Sequence, residues 1–112
     1  MKRVLIVDDE IDLCLMIKVF LTKKNYEVHT AHTIKEGVSL IKSVMPDSVL
    51  LDNNLPDGMG WSMAKNLRET YPHMHITLIS AFHATKDHDV LTGDSINVLE
   101  KPISLKDIEQ YL

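Results

Sequence analysis

The sequence predicts an α/β fold, a doubly wound five-stranded parallel sheet in the order 2-1-3-4-5 with helices on both faces. Three observations lead there. Four aliphatic runs, Val4-Leu5-Ile6-Val7, Val49-Leu50-Leu51, Ile76-Thr77-Leu78-Ile79 and Ile96-Asn97-Val98-Leu99, are too short for helices, and each ends in polar or turn-forming residues. Helical periodicity follows each strand-like stretch, so strand and helix alternate five times; such strands pair in parallel through right-handed crossovers. A further stretch, residues 26–31, sets Tyr26, Val28 and Thr30 against Glu27 and His29, the alternation of a half-exposed edge strand, whereas the other four are apolar as central parallel strands are. The resulting order places the carboxyl ends of strands one and three side by side, at the switch point where such sheets bind ligands.

Taken in order, the first strand runs into Asp8-Asp9, and residues 10–24 read as a helix whose broad apolar face is built on Ile11, Leu15 and Val19, with Leu13, Met16, Ile17 and Phe20. Asn25 is its stop signal. Cys14 packs on or beside that face as a small hydrophobe, since no basic residue or second cysteine lies near it. Thr33 and Glu36 form a capping box, and Ile34, Val38, Ile41 and Met45 follow at helical spacing up to Pro46. The third strand delivers Asp52 to a turn, Asn53-Asn54-Leu55-Pro56-Asp57-Gly58, in which Asp57-Gly58 reads as turn chemistry alone. A third helix over 61–70 turns Met63, Ala64 and Leu67 inward and is closed by Tyr71-Pro72; Trp61 covers its start, and Met59, Met63 and Met74 are packing residues. The fourth strand ends at Ser80. A fourth helix over 83–92 is thin, with Ala84, Val90 and Leu91 almost its only apolar residues, and is expected to be short or irregular. The fifth strand arrives at Lys101-Pro102, and Ser104 with Asp107 caps a last helix carrying Leu105, Ile108 and Leu112.

Composition narrows the class. At 112 residues, 45% hydrophobic and 25% charged, residues 1–112 make one globular domain with one core. No apolar run approaches the ~20 residues that cross a bilayer. The basic start Met1-Lys2-Arg3 does not introduce a signal peptide, because Asp8, Asp9, Glu10 and Asp12 interrupt the apolar run behind it. A single cysteine excludes an intrachain disulfide and fits a reducing cytoplasm. A net charge of −4 gives no footprint for nucleic acid, so none is expected to bind this domain itself.

The chemistry gathers at the carboxyl edge. Asp8, Asp9 and Asp52 are expected to converge there, and such crowding must be relieved by protonation or by a cation. An oxygen-only ligand set that retains water suits Mg²⁺ better than Ca²⁺. Lys101 adds a fixed cation and Ser80 a hydroxyl donor, and a carboxylate so surrounded is able to act as a nucleophile toward a phosphoryl group. Asp8-Asp9-Glu10 also favours the dipole of the first helix. His73 with His75, and His83 with His88, make poor chelates at their spacings.

Asp8-Asp9 after strand one, Asp52 through Gly58 after strand three, Ser80-Ala81 after strand four and Lys101-Pro102 after strand five together resemble the receiver domain of two-component response regulators, a flavodoxin-like fold similar to the chemotaxis regulator. The resemblance covers essentially the whole chain. It implies that Asp52 accepts a phosphoryl group from a histidine kinase or a histidine phosphotransfer protein. It further implies Mg²⁺ bound by Asp9, Asp52 and the main-chain carbonyl of Asn54, with Asp8 acting through a water. Lys101 would pair with the phosphoryl oxygens from a loop set by a cis peptide before Pro102, and Ser80 would swing inward over the small Ala81. The fourth helix, fifth strand and fifth helix would then form the face that docks a partner or a second copy. Such a domain catalyses only its own aspartyl phosphorylation and dephosphorylation.

Departures from the family pattern bear on switching. Val98 stands where many members carry an aromatic, and Phe82 occupies the position that tunes access to the phosphoryl group. The last helix is short for this fold, which leaves open a downstream effector, DNA-binding or otherwise, beyond Leu112. Two other readings remain: a pseudo-receiver that binds partners without phosphorylation, and an enzyme on the same fold. A phosphatase would want a second acid where Asn54 stands, and no Gly-rich loop follows strand one for a flavin.

Overall fold

The computed structural model describes residues 1–80 and 97–112. Five parallel strands, β1 (Arg3–Val7), β2 (Glu27–Ala31), β3 (Ser48–Asp52), β4 (His75–Ser80) and β5 (Asn97–Glu100), form one sheet in the order β2-β1-β3-β4-β5. This is the order expected from the sequence. Helices α1 (Ile11–Thr22), α2 (Ile34–Val44) and α3 (Ala64–Thr70) make the described crossovers, and a terminal helix (Leu105–Ile108) follows β5. The predicted fourth helix, together with Ala81, Phe82 and Ile96, lies outside the described residues.

Because side chains alternate along a strand, the sheet builds a core on each face. Leu5, Val7, Val49, Leu51, Ile76 and Leu78 pack with Ile41 of α2, with Ala64 and Leu67 of α3, and with Trp61. Val4, Ile6, Leu50, Ile79 and Leu99 pack on the other face with Cys14, Ile17 and Leu21 of α1 and Ile108 of the terminal helix. Each Leu or Ile so enclosed contributes about 1.5–3 kcal/mol.

The structure corrects several element-level expectations. α1 buries Cys14, Ile17 and Leu21, while Ile11, Leu15, Met16 and Val19 are exposed, from 65% at Ile11 to 48% at Val19. The helix is apolar nearly all round, with Asp12, Lys18 and Thr22 as its polar residues, so periodicity could not select the face that meets the sheet. Residues 60–63 form a 3-10 turn, Gly60–Met63, ahead of α3; Trp61 is buried within that turn, whereas Met59 is exposed. Ser104 occupies the start of the terminal helix, but its side chain makes no capping bond.

Other signals appear as expected. Asn25 ends α1's turn at φ 69°. Thr33 Oγ1 accepts from the Glu36 N–H at 3.1 Å, and Glu36 Oε1 accepts from the His32 N–H at 2.7 Å, one residue ahead of the helix cap.

Candidate functional site at the carboxyl edge

Register brings the acids together. Val7 lies opposite Leu51 and Asp52 opposite Ile79, so the chain leaves β1 at Asp8-Asp9 beside Asp52. One carboxylate oxygen from each of Asp8, Asp9 and Asp52 lies within 4.8 Å of the others. Asp8 and Asp52 are buried and Asp9 is exposed. Ser80 pairs with Glu100 across β4 and β5, and the Lys101 N–H donates to the Ser80 carbonyl at 2.8 Å. The Lys101–Pro102 peptide bond is cis.

From that anchored peptide the Lys101 ammonium reaches inward, its side chain 22% exposed. Nζ stands 3.1 Å from Glu10 Oε2, 3.3 Å from Asp8 Oδ2 and 3.8 Å from Asp52 Oδ2. The main chain holds the other oxygens. Asp52 Oδ1 accepts from the Asn53 N–H at 3.0 Å, and Asp8 Oδ1 from the Glu10 N–H at 2.9 Å. The Asp8 carbonyl accepts from His32 Nδ1 at 2.9 Å, which fixes the proton on that nitrogen, and from the Cys14 thiol at 3.4 Å.

The electrostatics follow from burial and crowding. Burial raises the Asp52 carboxyl to about 6, the charge of Asp8 adds to the rise, and Lys101 and the Asn53 N–H oppose it. Burial likewise raises Asp8 against the Glu10 N–H and Lys101. For Lys101 burial favours the neutral amine, yet its pairing with Glu10, Asp8 and Asp52 outweighs that and raises it. Cys14 is pushed up to about 12 by burial and then by Asp8, so it is an inert packing thiol, as its sequence context suggested. Asp8 Oδ2 is buried, with the Lys101 ammonium 3.3 Å away as its ion-pair partner. Three carboxylates with an oxygen each inside 4.8 Å, outnumbering the one ammonium beside them, make an all-oxygen donor group that fits a hard divalent cation.

Among the sequence-predicted residues, Asp8, Asp9, Asp52 and Lys101 come together. Ser80 is buried at the end of β4. Asn54 opens a small hairpin in which Asn54–Leu55 pairs with Gly58–Met59, directly after Asp52. Val98 lies on β5, half-buried against the α2/α3 side of the sheet. Ala81 and Phe82 lie outside the described residues.

Sequence reading missed four contributors. Glu10 starts α1 without a side-chain capping bond and turns instead to Lys101. Asn53 ties the turn together, its carbonyl accepting from the Gly60 N–H at 2.9 Å and its Oδ1 from the Trp61 N–H at 3.2 Å. Asp57 is more than a turn residue: its carboxylate accepts from the Ile34 and Lys35 N–H groups at 2.8 and 3.0 Å, satisfying orphan donors at the start of α2. Those bonds hold its carboxyl below the ordinary range. Gly60 sits so close that an added Cβ would run into the Asp52 carbonyl oxygen. The one available signal was Gly60 itself, a glycine eight residues past Asp52.

The doubly wound sheet thus presents an acid cluster and an inward lysine together at its carboxyl edge. The model of the response regulator receiver domain matches residues 4–112, and the chain belongs to that family. The transcriptional regulatory protein TrcR of Mycobacterium tuberculosis is 31% identical over 107 residues, covering 95% of this chain and 42% of that protein. The response regulator protein PilR of Pseudomonas aeruginosa is 27% identical, covering 93% and 24%. The chain thus spans less than half the length of either relative. In structure it is similar to a CheY-like receiver domain protein from Methanospirillum hungatei (TM-score 0.89, 25% identity, 98% and 89% covered) and to the non-phosphorylated HemR receiver domain from Leptospira biflexa (TM-score 0.88, 26% identity, 99% and 90% covered). Receiver domains are signalling domains of two-component systems rather than enzymes in the ordinary sense. Among the described residues no helix is long and apolar enough to cross a membrane.

Proposed function

We propose that Asp52 is the phosphoacceptor of a two-component relay, charged by a phosphohistidine on a histidine kinase or histidine phosphotransfer protein in the cytoplasm. A carboxylate oxygen of Asp52 attacks phosphorus, the P–N bond to the imidazole breaks as the O–P bond forms, and the departing imidazole takes its proton from solvent. Asp9, Asp52 and the Asn54 carbonyl would hold Mg²⁺, with Asp8 acting through a water. Bound there, the ion offsets the crowding of carboxylates and the charge on the phosphoryl oxygens. Lys101 pairs with those oxygens and the Ser80 hydroxyl donates to them. These new bonds favour one arrangement of the chain beyond β4 and shift the population of the face that includes β5 and the terminal helix, where a partner, a second copy or an effector domain docks.

The observation that carries this reading is the placement of a buried Asp52 carboxylate among two further acids with the Lys101 ammonium 3.8 Å away. Incubation with acetyl phosphate and Mg²⁺, read by intact mass, is expected to add one phosphoryl group. Asp52→Asn and chelation of the metal should each abolish the gain. A wild-type chain that gains nothing would instead favour a phosphorylation-independent interaction module.

A further inference from the structure

The contact that sequence reading missed at Lys101 concerns control of the site. Of its three carboxylate partners among the described residues the ammonium lies nearest to the outermost, Glu10, at 3.1 Å, and farthest from Asp52, at 3.8 Å. Glu10 is placed to cap α1, yet its carboxylate makes no capping bond and reaches across the chain to Lys101 instead. The Lys101 main chain is pinned by its N–H bond to Ser80, so exchange between partners is a rotation of the side chain alone. An ammonium that pairs with a phosphoryl group on Asp52 has to surrender or weaken the bond to Glu10.

We infer that Glu10 is a positioning residue that holds Lys101 at the rim of the site and sets how readily the ammonium is given up to a phosphoryl group. This rests on the reading of Asp52 as phosphoacceptor. Glu10 lowers the affinity of the site for any tetrahedral anion on Asp52, because each such anion competes with it for one ammonium. The Glu10 side chain is 57% exposed, so the competition is modest and weakened by salt.

The test is a titration with beryllofluoride and Mg²⁺, followed by the fluorescence of Trp61, the single tryptophan, whose main-chain N–H donates to Asn53 Oδ1 beside Asp52. Glu10→Gln is expected to bind about twofold to fivefold more tightly than wild type, with the gain shrinking as salt rises. Asp12→Asn, which removes one charge from the same helix turn, should shift affinity less. Glu10→Asp is the decisive variant: it keeps the charge but shortens the reach by one methylene, so it should behave like Glu10→Gln. The nitrogen-15 resonance of the Lys101 ammonium should also move in Glu10→Gln before any ligand is added, a change that mere loosening of α1 would not produce. Equal affinity of wild type and Glu10→Gln, or a Glu10→Asp variant indistinguishable from wild type, overturns the holding role while the phosphoacceptor reading stands. Absence of beryllofluoride binding by wild type overturns both.

Discussion

As the proposed phosphoacceptor, Asp52 would have to be charged to attack phosphorus, yet it is placed where charge is costly. Its carboxyl, raised to about 6 by burial and by Asp8, binds a proton more tightly folded than unfolded. Its contribution therefore favours folding below about pH 4 and is lost as pH rises through about 6. Metal-free wild-type protein should accordingly lose thermal stability across that window, and Asp8, raised in the same direction, should add to the loss. Asp52→Asn removes the charge while keeping the shape. At pH 7 with chelator it is expected to be about 1–3 kcal/mol more stable than wild type, about 5–15 °C in Tm by calorimetry. Added Mg²⁺ should raise the wild-type Tm increasingly with pH as metal displaces proton, and should leave Asp52→Asn largely unmoved. Asp8, Asp9, Asp52 and Lys101 were legible in the sequence because each stands where an apolar run stops. Glu10 was not: a carboxylate at a helix start suits capping equally well, and its actual partner lies 91 residues away.

At the level of elements, the turn after β3 is fastened at both ends, by Asn53 to the start of the 3-10 turn and by Asp57 to the start of α2. Asp57→Ala should lower Tm by a few degrees. Because bonds to two main-chain N–H groups hold its carboxyl low, that contribution is present above about pH 4 and fades as pH falls through the lowered value. The difference between wild type and variant should therefore close in acid. Gly60→Ala is a harsher change, since its methyl group meets the Asp52 carbonyl. It should slow phosphorylation by acetyl phosphate about 10- to 100-fold by misplacing the carboxylate, with a drop in Tm beside it. Neither fastening could be read from sequence, where Asp57 and Ile34 are 23 positions apart and carry no mutual signal. The face that α1 buries was hidden for the opposite reason: too many of its residues were eligible.

Across the whole molecule the parallel sheet was the most legible feature. Continuous apolar strands declare that they are covered on both sides and one alternating strand declares an edge, which fits the observed order; β5, expected from its apolar run to be central, is instead the other edge, with Asn97 and Glu100 exposed. Leu50, wholly buried in β3, tests the core on the α1 side, and Leu50→Ala should cost about 2–5 kcal/mol in denaturant unfolding. The bond from the Lys101 N–H to the Ser80 carbonyl has a further consequence. It couples two neighbouring strand ends mechanically, so the peptide bearing the hydroxyl and the peptide bearing the ammonium respond as a unit. A disturbance introduced at residue 80 should be felt as faster hydrogen exchange of the residue 101 amide, although twenty residues of chain separate them.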